Sequence, residues 1–213
     1  MTDHKCQRLF RSLLVLFVCL IVPNVVPATL YGQCPYSCPP TPDCHSDSWI
    51  GPEQTTFVIC SNGRPCTFTV QYCHRRACGV FNDIAITCIV ASDPSCAQDY
   101  TMKQLGELAV NAAVNHRFQQ SDPNYQNIPP CPQYNVTWRV YAASCWLFRD
   151  GVYLPCAGSG QCFATYRVCW DLMQQGCNDL MLPRIRTTRG STIASGNCPQ
   201  WTPEADPCLE WCE

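Results

Sequence analysis

Few residues in this chain can do polar chemistry, and they cluster. His74, Arg75 and Arg76 stand together between Cys73 and Cys78, and Arg184, Arg186 and Arg189 run into Gly190-Ser191-Thr192. Both groups read as candidate ligand contacts. A guanidinium offers a planar fork of donors that suits carboxylate or sulfate, so either group could hold an acidic glycan. Three imidazoles follow the first 28 residues, at His45, His74 and His116. A hydrolase would need one of them beside a nucleophile and an orienting carboxylate. The G-x-S-x-G elbow is absent, and Gly158-Ser159-Gly160 falls in a turn between two cysteines. The H-E-x-x-H, P-loop and Rossmann glycine patterns are absent too, so no catalytic residue, cofactor or metal site is assigned.

The 20 cysteines point to a different kind of chemistry. Cys6 and Cys19 belong to an N-terminal segment with Lys5, Arg8 and Arg11 ahead of an apolar run over residues 13–22. That pattern is a secretory signal peptide, with cleavage expected after Ala28. The run is shorter than the roughly 20 apolar residues that span a bilayer as a helix. The remaining 18 cysteines make up about a tenth of residues 29–213. An even count in an exported chain predicts a full set of disulfides. Zinc would want C-x2-C pairs, and none is present. Residues 29–213 carry 11 Lys plus Arg against 15 Asp plus Glu, a balance that gives nucleic acid no reason to bind. No long apolar run follows the leader, so membrane attachment is not expected after its removal, and the protein is read as secreted or periplasmic. Asn135-Val136-Thr137 is a glycosylation acceptor in a eukaryotic host.

A cysteine triplet of spacing C-x5-C-x6-C occurs twice, as Cys60, Cys66, Cys73 and as Cys156, Cys162, Cys169. Each predicts a hairpin. Phe68, Val70 and Tyr72 alternate with polar residues in the first copy, and Ala164, Tyr166 and Val168 do so in the second. If the first two cysteines of each triplet flank the turn, they face each other, which predicts Cys60–Cys66 and Cys156–Cys162. Asn62-Gly63 and Asp150-Gly151 are type I′ turn signals. A third strand is expected at 84–90 and a long one at 134–148, with Val136, Trp138 and Val140 on one face. Residues 148–170 are then expected to return as a meander.

One helix is expected, over residues 99–118, with Leu105, Leu108, Ala109 and Ala112 on its apolar face and Asp99 or Thr101 as its cap. Residues 29–48 are rich in proline and cysteine and read as an irregular tethered arm. Residues 180–196 are polar, basic and free of cysteine. The C-x3-C pairs near both ends are expected to pin the termini to the body by disulfides.

The sequence therefore predicts a β-rich α+β protein of disulfide-stapled antiparallel hairpins. Two cysteine-rich units, 29–97 and 98–213, would flank or include the amphipathic helix. Its expected role is extracellular binding or structural resilience, with a glycan or a protein as partner. A carbohydrate-binding module using exposed aromatics is the alternative, and a secreted hydrolase the third reading.

Overall fold

The computed structural model describes residues 48–212 except 79, 80, 122, 123, 125, 135, 175, 179 and 196–207. The leader, the arm with Cys34, Cys38, Cys44 and His45, and Asn135, Cys198 and Trp201 lie outside the described residues.

Strands β1 (Ile50–Ser61) and β2 (Arg64–Ala77) form the first hairpin. Its turn residues Asn62 and Gly63 take φ of 50° and 75°, the left-handed pair that a type I′ turn requires. Strand β3 (Phe81–Ala91) occupies the other edge of β2, antiparallel to it. A short 3-10 helix (Pro94–Asp99) then leads into α1 (Met102–Ser121). Thr101 is the cap. Its Oγ1 accepts from Gln104 N at 3.2 Å, and its own N–H donates to Gln104 Oε1 at 2.9 Å, a reciprocal capping box.

The chain continues through β4 (Val136–Ala143), β5 (Cys145–Arg149), β6 (Val152–Pro155), β7 (Gln161–Gln174), β8 (Met181–Ser195) and β9 (Cys208–Glu210). Asp150 and Gly151, with φ of 51° and 84°, close the β5–β6 hairpin as their sequence predicts. The long strand expected over 134–148 is broken at Ser144. Its N–H turns to Gly160 O, and its carbonyl accepts from Trp211 N, both at 2.9 Å. The expected meander is therefore not formed, because β6 pairs with β5 and β3 while β7 pairs with β4 and β8.

Since β2 covers one edge of β3 along its whole length, the other edge is shared. β4 runs parallel to residues 82–85, and β6 runs antiparallel to Ile89 and Val90. The sheet so follows the path β1–β2–β3–β4–β7–β8, with β6–β5–β9 branching from β3. Residues on both sides of position 97 contribute strands to it.

α1 packs on β8, β1, β3, β2 and β9. β1 and β8 are the two ends of the six-strand path, so a helix touching both means that the sheet curls around it. The three alternating runs supply the inner lining: Phe68, Val70 and Tyr72, then Trp138 and Val140, then Ala164, Tyr166 and Val168. From the helix, Leu105, Ala109, Val110, Ala113 and Val114 fill the space between. Gly106 lies on this buried face. A Cβ there would sit 2.5 Å from Cε2 and 2.9 Å from Cδ1 of the buried Trp211 indole. Alanine would normally favour a helix interior over glycine by about 1 kcal/mol. Here the overlap outweighs that gain, and Gly106→Ala is expected to lower stability by about 1 to 3 kcal/mol in urea unfolding of the oxidised protein. A stabilised variant would show that the indole moves aside freely.

All fourteen cysteines among the described residues are disulfide-bonded, which belongs with folding in an oxidising compartment. Their pairing corrects the expected one. Cys60 joins Cys177 and Cys66 joins Cys96, while Cys156 joins Cys208, Cys162 joins Cys212 and Cys169 joins Cys131. The reason is register. The two-residue turn sets Cys60 opposite Pro65 and Ile59 opposite Cys66, so Cys60 and Cys66 are one position out of step and point to opposite faces. Cys66 is buried under the helix side and Cys60 is exposed. In the second triplet β6 and β7 are not partners, so Cys156 and Cys162 each reach the C-terminal segment instead. The C-terminal C-x3-C is pinned to the body, as expected.

Candidate functional site

A cleft of about 440 Å³ opens between β1, α1 and the β7–β8 hairpin. Its first wall is residues 55–59 of β1, five in succession. Side chains along a strand alternate between faces, so a cleft lined by five consecutive residues follows the backbone edge of the strand. The helix contributes Leu108, Asn111, Ala112, Asn115, His116 and Gln119. That i, i+3, i+4, i+7 stripe is about 16 Å long at 1.5 Å per residue. Met173, Gln174, Gly176 and Arg184 close the third side.

One end is held by covalent and steric contacts. Cys60–Cys177 ties β1 to the β7–β8 turn, and a Cβ on Gly176 would lie 3.2 Å from Val58 Cγ1. On the β8 side, Asn115 substitutes for a neighbouring strand. Its Oδ1 accepts from Ile185 N at 2.7 Å and its Nδ2 donates to Ile185 O at 2.8 Å, with Asn111 Nδ2 donating to the same carbonyl at 2.9 Å. Asn115 is buried.

At the other end, His116 leaves the cleft wall for a polar cluster centred on Glu53. Tyr72 Oη donates to Glu53 Oε2 at 2.8 Å, and His74 Nε2 donates to Glu53 Oε1 at 3.0 Å. Having given its one proton to Glu53, the tyrosine oxygen accepts from His116 Nδ1 at 2.6 Å, which assigns the Nδ1–H tautomer. The lone pair on His116 Nε2 accepts from Gln120 Nε2 at 3.2 Å. Arg117 Nη1 stands 3.6 Å from Glu53 Oε1.

Burial alone would raise the Glu53 carboxyl, but the hydrogen bonds from Tyr72 and His74 and the nearby positive charge hold it below its ordinary value of 4.5. Burial, reinforced by the Glu53 hydrogen bond, pushes the Tyr72 phenol up, so it stays protonated. Burial and then the charge of Arg117 lower His74 from 6.5, against the pull of Glu53, so His74 meets Glu53 as a neutral N–H donor.

These shifts fix the sign of the acid response. A lowered carboxylate contributes stability above 4.5 and loses it as pH falls through the folded value. A lowered histidine behaves alike: the unfolded chain takes the proton first, so the contribution is full above 6.5 and declines on acidification. Urea midpoints are expected to fall as pH drops from 7 towards 3, with His74 acting in the upper part and Glu53 below 4.5, and His74→Gln is expected to flatten the upper part of that fall. A midpoint constant over this range would remove the cluster from the stability of the fold.

Of the residues singled out from sequence, His74 and Arg75 are both buried but face opposite ways, and Arg76 is exposed. Arg75 Nε donates to Asp83 Oδ2 at 3.0 Å under the Trp49 ring. Arg184 lines the cleft, and Arg186 is exposed, 3.7 Å from Asp171. Arg189 reaches the carbonyls of Trp211 and Cys212 at 3.4 and 3.3 Å. His74, Arg75 and Arg189 are thus each bound to a different group, Glu53, Asp83 and the carbonyls of Trp211 and Cys212. Glu53, Tyr72, Asn111 and Asn115 were not singled out. The signal available was Asn111 and Asn115, two amides four apart on one helix face. The partners of His74 and His116 among the described residues are Glu53 for the first and Tyr72 and Gln120 for the second.

The chain matches no family model, and no curated protein or solved structure matches it.

Proposed function

We propose that this chain is an exported binding protein whose ligand occupies the cleft between β1 and α1. The observation that carries this is the cleft itself, a preformed concavity of about 440 Å³. One end is fixed by Cys60–Cys177 and the other by the Glu53 cluster. Pockets of this size suit ligands or ligand segments of tens of atoms, and a rigid site binds with little ordering cost. Export is supported by the basic and apolar leader and by the density of disulfides.

The cleft is favoured over an aromatic platform for glycans. Trp138, Trp146 and Trp211 are buried and Trp49 and Trp170 half-buried, and of the exposed aromatics Phe81 carries Arg139 over its ring, which leaves Tyr134 standing apart from any aromatic cluster among the described residues. The test is fragment screening by NMR on the oxidised protein. Amide shifts are expected to concentrate at residues 55–59 and along 108–119. Hits scattered over the surface, or none at all, would count against the cleft.

A further inference from the structure

We infer that the occupant of this cleft is an extended segment of a partner protein, added as a strand to the open edge of β1. The inference rests on the cleft being a binding site and names what it binds. Along one edge β1 pairs with β2, and among the described residues no strand pairs with the other. An open edge presents a row of unpaired N–H and C=O groups, which proteins ordinarily protect with proline, charge, bulges or a cover.

The two ends of the curled sheet differ sharply in this respect. β8 is guarded: Pro183 has no N–H to offer, Ile185 has its N–H and C=O taken by Asn115, and Arg184 and Arg186 flank it with charge. β1 has a bulge, Pro52 and the charge of Glu53 at its start, but no proline, glycine or charge over Gln54-Thr55-Thr56-Phe57-Val58-Ile59. That unguarded stretch is the one bordering the cleft, with a helix face of matching length as the opposite wall. A strand edge facing a helix is the geometry in which a peptide gains main-chain hydrogen bonds on one side and side-chain contacts on the other.

The lining narrows the partner's chemistry. Its charged residue is Arg184, with no aspartate or glutamate, so the segment is neutral or acidic and not basic. Leu108 and Ala112 receive apolar side chains at alternate positions. A second copy of β1 fits less well, because a two-fold strand pair needs both ends of β1 open, and the Cys60 end is closed by the bond to Cys177 and by Gly176 against Val58.

The experiment selects binders from a phage-displayed library of linear heptapeptides on the oxidised protein, then follows amide exchange of the labelled protein with a selected synthetic peptide. Alternate amides within residues 54–59 are expected to slow about tenfold or more at saturation, while the intervening ones, already bonded to β2, stay unchanged. N-methylation of the peptide at alternate positions is expected to abolish binding, and at the intervening positions to spare it. Three results would each overturn the inference: peptides that bind without this alternation, amides of both parities already protected in the free monomer, or protection that grows with protein concentration alone. Failure to select any peptide would also overturn it. In that last case fragment shifts at 55–59 and 108–119 would still leave the cleft as a binding site for a different ligand class.

Discussion

Asp83→Asn is expected to destabilise the protein by about 3 to 5 kcal/mol, the range found when one partner of a buried ion cluster is removed. Asp83 is fully buried, and β2, β3 and β4 place Arg75, Asp83 and Arg139 side by side across three strands. Arg139 binds it in bidentate fashion, Nε to Oδ1 at 2.6 Å and Nη2 to Oδ2 at 2.8 Å, and Arg75 adds a third bond. Rings cover both guanidiniums, Trp49 at 4.3 Å over Arg75 and Phe81 at 4.2 Å over Arg139. Cation–π attraction adds to the hold on both guanidiniums. Asparagine keeps the shape but removes the carboxylate charge and turns an amide N–H₂ toward donors. The comparison that isolates this mechanism is the triple variant Arg75→Met, Asp83→Leu, Arg139→Met, which removes charge and countercharge together and is expected to be far milder than the single change. Urea unfolding of both would decide it, and a single variant within about 0.5 kcal/mol of the parent would mean that water reaches the cluster.

Leu105→Ala is expected to cost about 2 to 5 kcal/mol, while Leu108→Ala costs less than about 1.5. One turn of helix separates nothing in chemistry between them, only surroundings. Leu105 is fully buried between α1 and the sheet, so truncation leaves a cavity that close packing cannot refill. Leu108 is half-buried and borders the cleft, where solvent already reaches it. Equal losses for the two would mean that the cleft is closed in solution, and the binding proposal would weaken with it.

Local chemistry was legible in the residues. Asn-Gly and Asp-Gly turns and the alternation of Phe68, Val70 and Tyr72 and of Ala164, Tyr166 and Val168 appear where their patterns place them, while the helix expected over 99–118 runs over Met102–Ser121, with Thr101, one of the two expected caps, at its start. Each depends on φ/ψ preference and side-chain period within a few residues, so sequence alone determines it. β8 was hidden because it is a polar edge strand. Ile185 is its fully buried hydrophobic residue, so its inward face lacks the apolar alternation that marks a strand.

Disulfide choice and the site belong to the tertiary structure. Equal cysteine spacing in the two triplets carries no parity; the two-residue turn supplies it, and a one-residue difference in register sends Cys60 and Cys66 to opposite faces. The polar cluster joins groups separated by 19, 21 and 44 positions, Glu53 to Tyr72, Glu53 to His74 and Tyr72 to His116. The hairpin register sets Glu53 opposite Tyr72, with His74 two positions on along the same face, and the packing of α1 against β1 and β2 brings His116 to them.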